Sequence, residues 1–367
     1  MRAIGIILAG GDNNRMRELS NRRAVCAMPI AGSFRAIDFA LSNMSNSRIK
    51  KVAVLTQYNA RSLNEHLSSS KWWDFGSKQG GLYVFPPAVN NYTNTWWYSG
   101  DADAMYQNLA FLRNSHEPYV AIASADGICK IDFESLLDYH IEKSADITLV
   151  CAKGTQEDLK RFGTVKMNDG DRITEIGPAP PDTDYGYVPA GIYIIRRRLL
   201  IELLQKCAAA GGTDIIKDIL ERFKDEKKIY GFRLKSYWRS MSTVESYFHT
   251  NMDFLEPEVR DYFFRQYPGI YSKQDDNPPA HFNQGSAIQN SLVSSGCVIN
   301  GTVEDSVIFK KVYVGKNCVI RNSIILNDVY IGDNSHIENC IVESRNNIRP
   351  ESDYCGTDEV KIVIGDK

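Results

Sequence analysis

The first 250 or so residues alternate short apolar runs with longer stretches that are compatible with helices. The runs are continuous and rich in β-branched and other apolar residues, as expected of strands that are covered on both faces. They are AIGIILAG from residue 3, KVAVLTQY from residue 51, YVAIASAD from residue 119 and DITLVCAK from residue 146. This alternation predicts an α/β domain with a mainly parallel sheet.

Two loops of this domain are predicted to contact a ligand. Ligands of parallel sheets bind beyond the carboxyl ends of the strands. The glycine pair Gly10–Gly11, followed by DNNRM, lies at that end of the first strand, and residues 124–127 lie at that end of a later one. A nest of backbone N–H groups around a phosphate favours glycine, because the chain must approach closely and accept positive φ.

The last part of the chain contains a repeat. Units of the form aliphatic, two polar, small, two aliphatic begin at residues 288, 303, 320 and 337, and they read IQNSLV, VEDSVI, IRNSII and IENCIV. VGKNCV at 314 and IGDNSH at 331 have the order of a hexapeptide repeat. A parallel β-helix needs this pattern, because each coil turns three corners with small residues and stacks aliphatic side chains inward. A β-sandwich with chance similarity is the alternative.

The domain boundaries follow from a change in composition. In residues 267–286, proline, glycine and polar residues outnumber apolar ones, which is typical of a linker. We therefore expect an α/β domain at residues 1–255, a linker at 256–285 and a β-helix at 286–367.

Charge and cysteine content exclude several classes of protein. A net charge of −2 over 367 residues gives no general attraction to nucleic acid or to an anionic membrane. No apolar run approaches the roughly 18 residues of a membrane span, and the run at 4–9 is too short for a signal peptide, so we expect a cytoplasmic protein. The eight cysteines form no CxxC pair and have no histidine cluster nearby, so we expect reduced thiols, no zinc or other metal site and no cofactor. They lie at positions 26, 129, 151, 207, 297, 318, 340 and 355.

Seven stretches together resemble the ADP-glucose pyrophosphorylase (glucose-1-phosphate adenylyltransferase) family. They are LAGGDNNRM, FRAIDFALSNMSNS, VLTQY, WWYSGDADAMYQN, SADGICKIDF, PAGIYII and YWRSMSTVESYFHTNMDFL. The resemblance implies a Rossmann-like nucleotidyltransferase domain followed by a left-handed β-helix, usually in a tetramer. It also implies a reaction in which glucose 1-phosphate attacks the α-phosphorus of ATP with the help of magnesium.

The phosphate side of the implied site departs from the family pattern. The family writes the first turn as GGxGxRL; Gly10, Gly11 and Arg15 match it, but Asn13 replaces the third glycine. Asn14 and Asp12 add bulk and a like charge beside the triphosphate. The family motif AKPAVP falls on residues 24–29, where Val25 stands in place of a lysine.

The metal and sugar sides are altered as well. Asp126 matches the aspartate of the family motif SGDH, with Gly127 in place of the histidine, but Ser240 replaces the aspartate of YWRDVG. The lysine of the family motif EKP, which binds the sugar phosphate, falls on Ala179, and Pro189 replaces a serine that would bind the sugar. The predicted remnants of a substrate site are Gly10, Gly11, Arg15, Asp126 and Tyr193.

These losses make the chain resemble the non-catalytic, regulatory GlgD type of subunit of bacterial glycogen synthesis. Such a subunit pairs with a catalytic partner, most simply in a mixed tetramer, and modifies its activity and its response to effectors. The alternatives are an active adenylyltransferase with an atypical site and a stand-alone scaffold that binds sugar phosphates. An acyltransferase is disfavoured, because His336 is the only histidine in the repeats and no second catalytic group is evident beside it.

Three arginines and four tryptophans remain as candidate ligand contacts. Arg22, Arg23 and Arg35 coincide with family positions that contact phosphorylated effectors, and three guanidiniums would suit a sugar phosphate. A solvated basic face or an intersubunit ion pair is the alternative. Some of the tryptophans could stack on a ligand, although core or interface packing is more common. They are Trp72, Trp73, Trp96 and Trp97.

Overall fold

The structure is a computed structural model, and it describes residues 1–11, 14–76, 80–87, 97–180, 183, 186–357 and 359–365. The chain forms two compact units. The first contains residues 1–12 and 39–238, and the second contains residues 13–38 and 239–367. Asp12, Asn13 and Trp96 lie outside the described residues.

The first unit is built on a seven-stranded sheet. Its strands are β1 (Ala3–Ala9), β2 (Lys51–Thr56), β3 (Gly81–Phe85), β4 (Tyr119–Ser124), β5 (Ile147–Gly154), β6 (Gly186–Arg196) and β7 (Ile229–Arg233). They lie in the order β7-β5-β6-β4-β1-β2-β3, and only β6 runs antiparallel to its neighbours. All seven residues of β1 are buried, as the continuous apolar run predicts for a strand covered on both faces. The predicted, mainly parallel α/β sheet is confirmed.

Helices pack against this sheet, and apolar side chains of the strands and helices together form the hydrophobic core. They are α1 (Ala36–Asn46), α2 (Arg61–Leu67), α3 (Asp101–Gln107), α4 (Leu109–Arg113), α5 (Phe133–Glu142), α6 (Gln156–Phe162) and α7 (Arg197–Ala209). Helix α6 begins at a capping box, in which the Thr155 side chain accepts from the Asp158 amide and the Asp158 carboxylate accepts from the Thr155 amide. A π-helix at Ile216–Glu221 and an antiparallel pair of strands, Thr164–Met167 and Ile173–Gly177, complete this part.

The second unit contains a left-handed β-helix, as predicted. Its three parallel sheets have five strands each. The first holds His281–Phe282, Val298–Ile299, Tyr313–Val314, Tyr330–Ile331 and Asn347–Ile348. The second holds Ala287–Gln289, Thr302–Glu304, Val319–Arg321, His336–Glu338 and Asp353–Cys355. The third holds Leu292–Val293, Val307–Ile308, Ile324–Ile325, Cys340–Val342 and Lys361–Val363.

The repeated serine explains how the coils are joined at one corner. The Ser306 amide donates to the Ser291 hydroxyl, the Ser323 amide to the Ser306 hydroxyl, and the Cys340 amide to the Ser323 hydroxyl, each over 3.1 Å. A small side chain is needed at each step, because the hydroxyl must reach the backbone of the next coil. The β-helix therefore repeats its sequence at the coil length.

The second unit also contains residues 13–38 and two further helices. The described segments are 3₁₀ turns at Asn14–Ser20 and Val25–Ala27, and short strands at Pro29–Ile30 and Phe34–Arg35. Helix α8 (Val244–Asp253) begins at Thr243, whose side chain accepts from the Ser246 amide, and α9 (Pro257–Arg260) leads into a π-helix at Asp261–Arg265. The Tyr247 hydroxyl, which is buried, donates to the Pro29 carbonyl over 2.7 Å. No helix among the described residues is both long enough and apolar enough to cross a membrane.

Candidate functional site

A cavity of about 300 Å³ opens at the carboxyl ends of β1 and β2 in the first unit. Its lining includes Leu8, Gly10, Gly11, Gln57, Tyr98 and Asp101. A Cβ atom at Gly10 would lie 3.4 Å from the Gln57 Cβ, in ordinary van der Waals contact with this wall. The glycine pair therefore does lie at a ligand-sized cavity at the predicted end of the sheet.

One wall of the cavity is fixed by a glutamine. The Gln57 side chain accepts from the Tyr98 amide over 3.0 Å and donates to the Tyr98 carbonyl over 3.2 Å. The Tyr98 hydroxyl is held as well, since it donates to the Phe85 carbonyl over 3.3 Å and accepts from the Asn108 amide group over 3.0 Å. This wall is therefore preorganised without a ligand.

The mouth of the cavity carries an aromatic pair. Tyr58, which lines the cavity, stacks on Trp97 with ring centroids 5.5 Å apart, and Trp97 is 56% exposed. Of the other described tryptophans named above, Trp73 is buried with its ring against His66, and Trp72 lies next to the Lys71 ammonium. Among these three, Trp97 is the one placed beside the cavity, while Trp73 is a core residue.

The floor of the same region is acidic. Burial, and then repulsion from the carboxylates of Asp214 and Asp126, raise the pKa of Asp101 to about 6. The Ser124 hydroxyl, at the end of β4, donates to Asp126. Sequence reasoning singled out Asp126 but missed Asp101 and Asp214, because the three lie on separate segments of the chain.

Tyr193 lies in the core instead of at a solvent-accessible surface. It is 2% exposed, and it belongs to the apolar cluster under the sheet. Burial, with further contributions from Asp101 and Asp214, raises the pKa of its phenol. This electrostatic effect places Tyr193 near the acidic floor.

The positions of the lost charges are occupied by neutral residues in both units. In the second unit, Val25 is 8% exposed in a 3₁₀ turn whose three residues are all buried. Ser240 is 5% exposed, and its hydroxyl lies 2.9 Å from the Ser242 hydroxyl. In the first unit, Ala179 is half-buried and Gly127 has space for a Cβ atom, with its nearest neighbour at 3.8 Å. Arg15 is exposed.

These residues do not match the magnesium donors that the family motif supplies. A protein-bound magnesium ion is held by one or two carboxylates together with phosphate oxygens. Asp126 keeps one family carboxylate, whereas the hydroxyl of Ser240 is already within hydrogen-bond distance of another serine. One of the two carboxylates that the family motifs supply to a magnesium ion is therefore missing from this chain.

The three candidate effector arginines differ in their surroundings within the second unit. Arg22 is exposed. Arg23 Nη2 lies 2.6 Å from Glu343 Oε1, and the two side chains are 13% and 4% exposed. Arg35 is half-buried, and its pKa is lowered by burial and by repulsion from Arg23 against attraction from Asp38 and Asp275.

The guanidinium of Arg23 is paired with a carboxylate of the same chain. Recognition of an effector by Arg22, Arg23 and Arg35 stays a prediction. Sequence reasoning could not find Glu343, because it lies 320 residues from Arg23. The Ser344 amide also donates to Glu343 Oε1, over 2.6 Å.

Two parts of the chain match two different protein families. Residues 4–257 match the family model described as nucleotidyl transferase, and residues 278–361 match the GlmU-like C-terminal hexapeptide model. The glucose-1-phosphate adenylyltransferase of Geobacillus stearothermophilus is 38% identical over 99% of this chain and 94% of its own length. The enzymes of the same name from Bacillus subtilis and Clostridium novyi are 37% and 36% identical, each over 86% of this chain and 84% of their own lengths. The chain therefore belongs to the glucose-1-phosphate adenylyltransferase family.

Proposed function

We propose that this chain is a non-catalytic regulatory subunit of ADP-glucose pyrophosphorylase in glycogen synthesis. It would join a catalytic partner subunit in a mixed oligomer, most simply a tetramer, and change the partner's activity and effector response. The observation that carries the proposal is the joint loss of charge at three family motif positions, Val25, Ala179 and Ser240.

The size of the losses supports a chain without activity of its own. Removing one preorganised electrostatic contact from an active site typically costs about 3 to 4 kcal/mol, or roughly 10²- to 10³-fold in rate. Two such losses would lower the rate by roughly 10⁴-fold or more, even though losses at one site need not add. Both replacements are buried, Val25 in a turn of buried residues and Ser240 within hydrogen-bond distance of the Ser242 hydroxyl, so neither position presents a charge to a substrate.

A subunit with no chemistry acts by favouring one conformation of an active neighbour, since it must bind that conformation better than the other. The proposed effector is a phosphorylated sugar, recognised by the arginines of the second unit. Arg23 is already paired with Glu343, so its charge is compensated within the chain. Burial and Arg23 both disfavour the charged form of Arg35, and an anion bound beside Arg35 would favour that form. Arg22 is exposed and can add a further guanidinium.

An active adenylyltransferase with an atypical site is the second candidate. The relatives above carry that enzyme's name, and the acidic group of Asp101, Asp126 and Asp214 offers carboxylates of the kind that the Ser240 position lacks. This candidate still requires cations to replace the lysines missing at Val25 and Ala179.

An activity assay of the purified chain separates the two candidates. With ATP, glucose 1-phosphate and magnesium, we expect no measurable ADP-glucose. A turnover near 1 per second, which is ordinary for enzymes, would support the second candidate. In that event Asp101→Asn should abolish the activity, whereas Asp225→Asn, at a carboxylate outside the cavity lining, should leave it intact.

Purification from the native cell tests the partner. A catalytic relative recovered in stoichiometric amount supports a regulatory subunit. Its absence, together with binding of sugar phosphates by this chain alone, would point instead to a stand-alone scaffold.

A further inference from the structure

The outer face of the β-helix brings a histidine, an aspartate and a cysteine together. His336 and Asp353 are directly opposite each other in neighbouring parallel strands, and Glu338 is opposite Cys355 in the same pair. Side chains of a strand point alternately to its two faces. The residue between His336 and Glu338, Ile337, is fully buried in the apolar core, so these two residues point outward.

We propose that His336, Asp353 and Cys355 form a binding site for a divalent metal ion of the zinc type. The proposal is independent of the regulatory function, because all three residues lie in the β-helix and none belongs to the degenerate substrate site. Their three ligand atoms lie within 4.8 Å of one another. Imidazole nitrogen, thiolate sulfur and carboxylate oxygen are the donors that zinc uses in proteins.

The distances fit one tetrahedral ion. His336 Nδ1 lies 3.2 Å from Asp353 Oδ1 and 3.5 Å from Cys355 Sγ, and Sγ lies 3.3 Å from Oδ1. Zinc bond lengths of about 2.0 to 2.3 Å at tetrahedral angles place an N and an O ligand about 3.3 Å apart, and an S ligand about 3.6 Å from either. The triangle of donor atoms therefore needs shifts of a few tenths of an ångström to receive the ion.

The fourth position would fall to water or to Glu338. Glu338 Oε2 lies 3.5 Å from His336 Nε2, which is the ring nitrogen that does not face the proposed ion. The Glu338 side chain must therefore rotate before its carboxylate can bind the ion. Lys361, on a strand of the third sheet, is a competing cation that acts on both Asp353 and Cys355, and its ammonium lies 5.4 Å from the centre of the Tyr354 ring. Arg321 is opposite Glu338 in the neighbouring strand, but it is paired with Glu304 over 2.7 Å. Among these described residues, three carboxylates and a thiol stand against two cations, which leaves an excess of negative charge for a divalent ion to neutralise.

A cysteine nucleophile activated by a histidine and an aspartate is the rival interpretation. Such a relay uses both ring nitrogens, one to take the proton from the nucleophile and the other to be held by the carboxylate. Cys355 Sγ and Asp353 Oδ1 both face Nδ1 of His336, so Asp353 cannot be the carboxylate of such a relay. Glu338 does face the other nitrogen, Nε2, but only at 3.5 Å and with its side chain 47% exposed, which holds the ring poorly. One nitrogen cannot serve both partners of a relay, whereas convergence on one point is what a metal site requires.

Cobalt titration of the full-length chain, after chelator treatment, tests the site. Cys355 is the only exposed one of the eight cysteines, all of which lie in described segments, so a cobalt–thiolate charge-transfer band reports on it. We expect one equivalent of Co²⁺ to give this band and one equivalent of Zn²⁺ to displace it. Cys355→Ser should abolish the band, and His336→Gln should weaken binding by at least about tenfold, the loss typical of removing even an outer partner of a ligand.

His281→Gln is the matched control, since it removes an exposed histidine from a different sheet of the same β-helix. It should leave the titration unchanged. Circular dichroism confirms that each variant is folded. The proposal is overturned if folded chain shows no thiolate band at one equivalent, or if His281→Gln weakens binding as much as His336→Gln.

Discussion

The buried ion pair between Arg23 and Glu343 gives a strong test of how the second unit is stabilised. Arg23→Ala leaves the Glu343 carboxylate, only 4% exposed, without its guanidinium. Removing one partner of a buried pair typically costs about 3 to 5 kcal/mol, because the other charge stays buried. Because the Arg23 side chain is 13% exposed, we expect a loss of stability at the lower end of this range, about 3 kcal/mol.

This loss should be visible in the unfolding of the purified chain. For a unit of this size, 1 kcal/mol shifts the melting temperature by about 2 to 4 °C, so Arg23→Ala should lower it by roughly 6 to 12 °C. Calorimetry together with urea unfolding followed by circular dichroism measures the change. Arg22→Ala is the matched control, since Arg22 is exposed, and it should stay within about 0.5 kcal/mol of the parent chain.

A second variant separates loss of the pair from loss of packing. Replacing both partners, as Arg23→Met with Glu343→Leu, removes the pair without leaving a buried charge, and such replacements are often neutral or stabilising. We expect the double variant to be more stable than Arg23→Ala. The reasoning is refuted if Arg23→Ala costs no more than Arg22→Ala.

Three further predictions concern other parts of the chain. Gly163 has φ +75°, and a Cβ atom there would lie 2.3 Å from the Gly177 carbonyl oxygen. Gly211 has a similar φ of +73°, but no atom lies within 4 Å of the position of its Cβ. Gly163→Ala should therefore destabilise the chain more than Gly211→Ala does, as measured by urea unfolding. Burial lowers the pKa of His140 to about 4 from about 6.5 unfolded, so below pH 6.5 the unfolded chain binds more protons at this residue. From pH 7 to pH 5 this residue should therefore cost about 2 kcal/mol of stability, measured by urea unfolding as the difference between the parent chain and His140→Gln, because Asp101, with its pKa raised to about 6, acts in the opposite direction. Val25→Lys alone should not produce ADP-glucose synthesis, since Ser240 and Ala179 stay neutral; activity in that variant would contradict the account of joint loss.

The sequence predicts the fold well where one local pattern decides it. In β1, the run of apolar residues is buried throughout because both faces of a central parallel strand are covered. In the β-helix, a serine that binds the backbone of the next coil must recur at the coil length, so the repeat is legible without a structure. The composition of residues 267–286 favours a linker, yet His281–Phe282 already forms a strand of the β-helix, because a first coil can be polar on its outer side.

The site residues that sequence reasoning missed depend on contacts between distant segments. Glu343 contacts Arg23 across 320 residues, and Asp101 owes its raised pKa to burial and then to carboxylates on other segments. His336 and Cys355 are 19 residues apart, a spacing that matches no zinc motif, and only the register of neighbouring coils brings them together. The degenerate positions, in contrast, can be identified from the sequence, because the family motifs specify at which position each charged residue is expected.

Titrating a catalytic ADP-glucose pyrophosphorylase subunit from the same genome with this chain tests the central claim most directly. The account predicts a saturable change in the catalytic subunit's substrate curve, together with a mixed species in size-exclusion chromatography. The change should correspond to a coupling of about 1 to 3 kcal/mol, or roughly 5- to 150-fold in affinity, and should depend on sugar phosphates. Unchanged kinetics at saturating ratio, with no mixed species, would contradict the account.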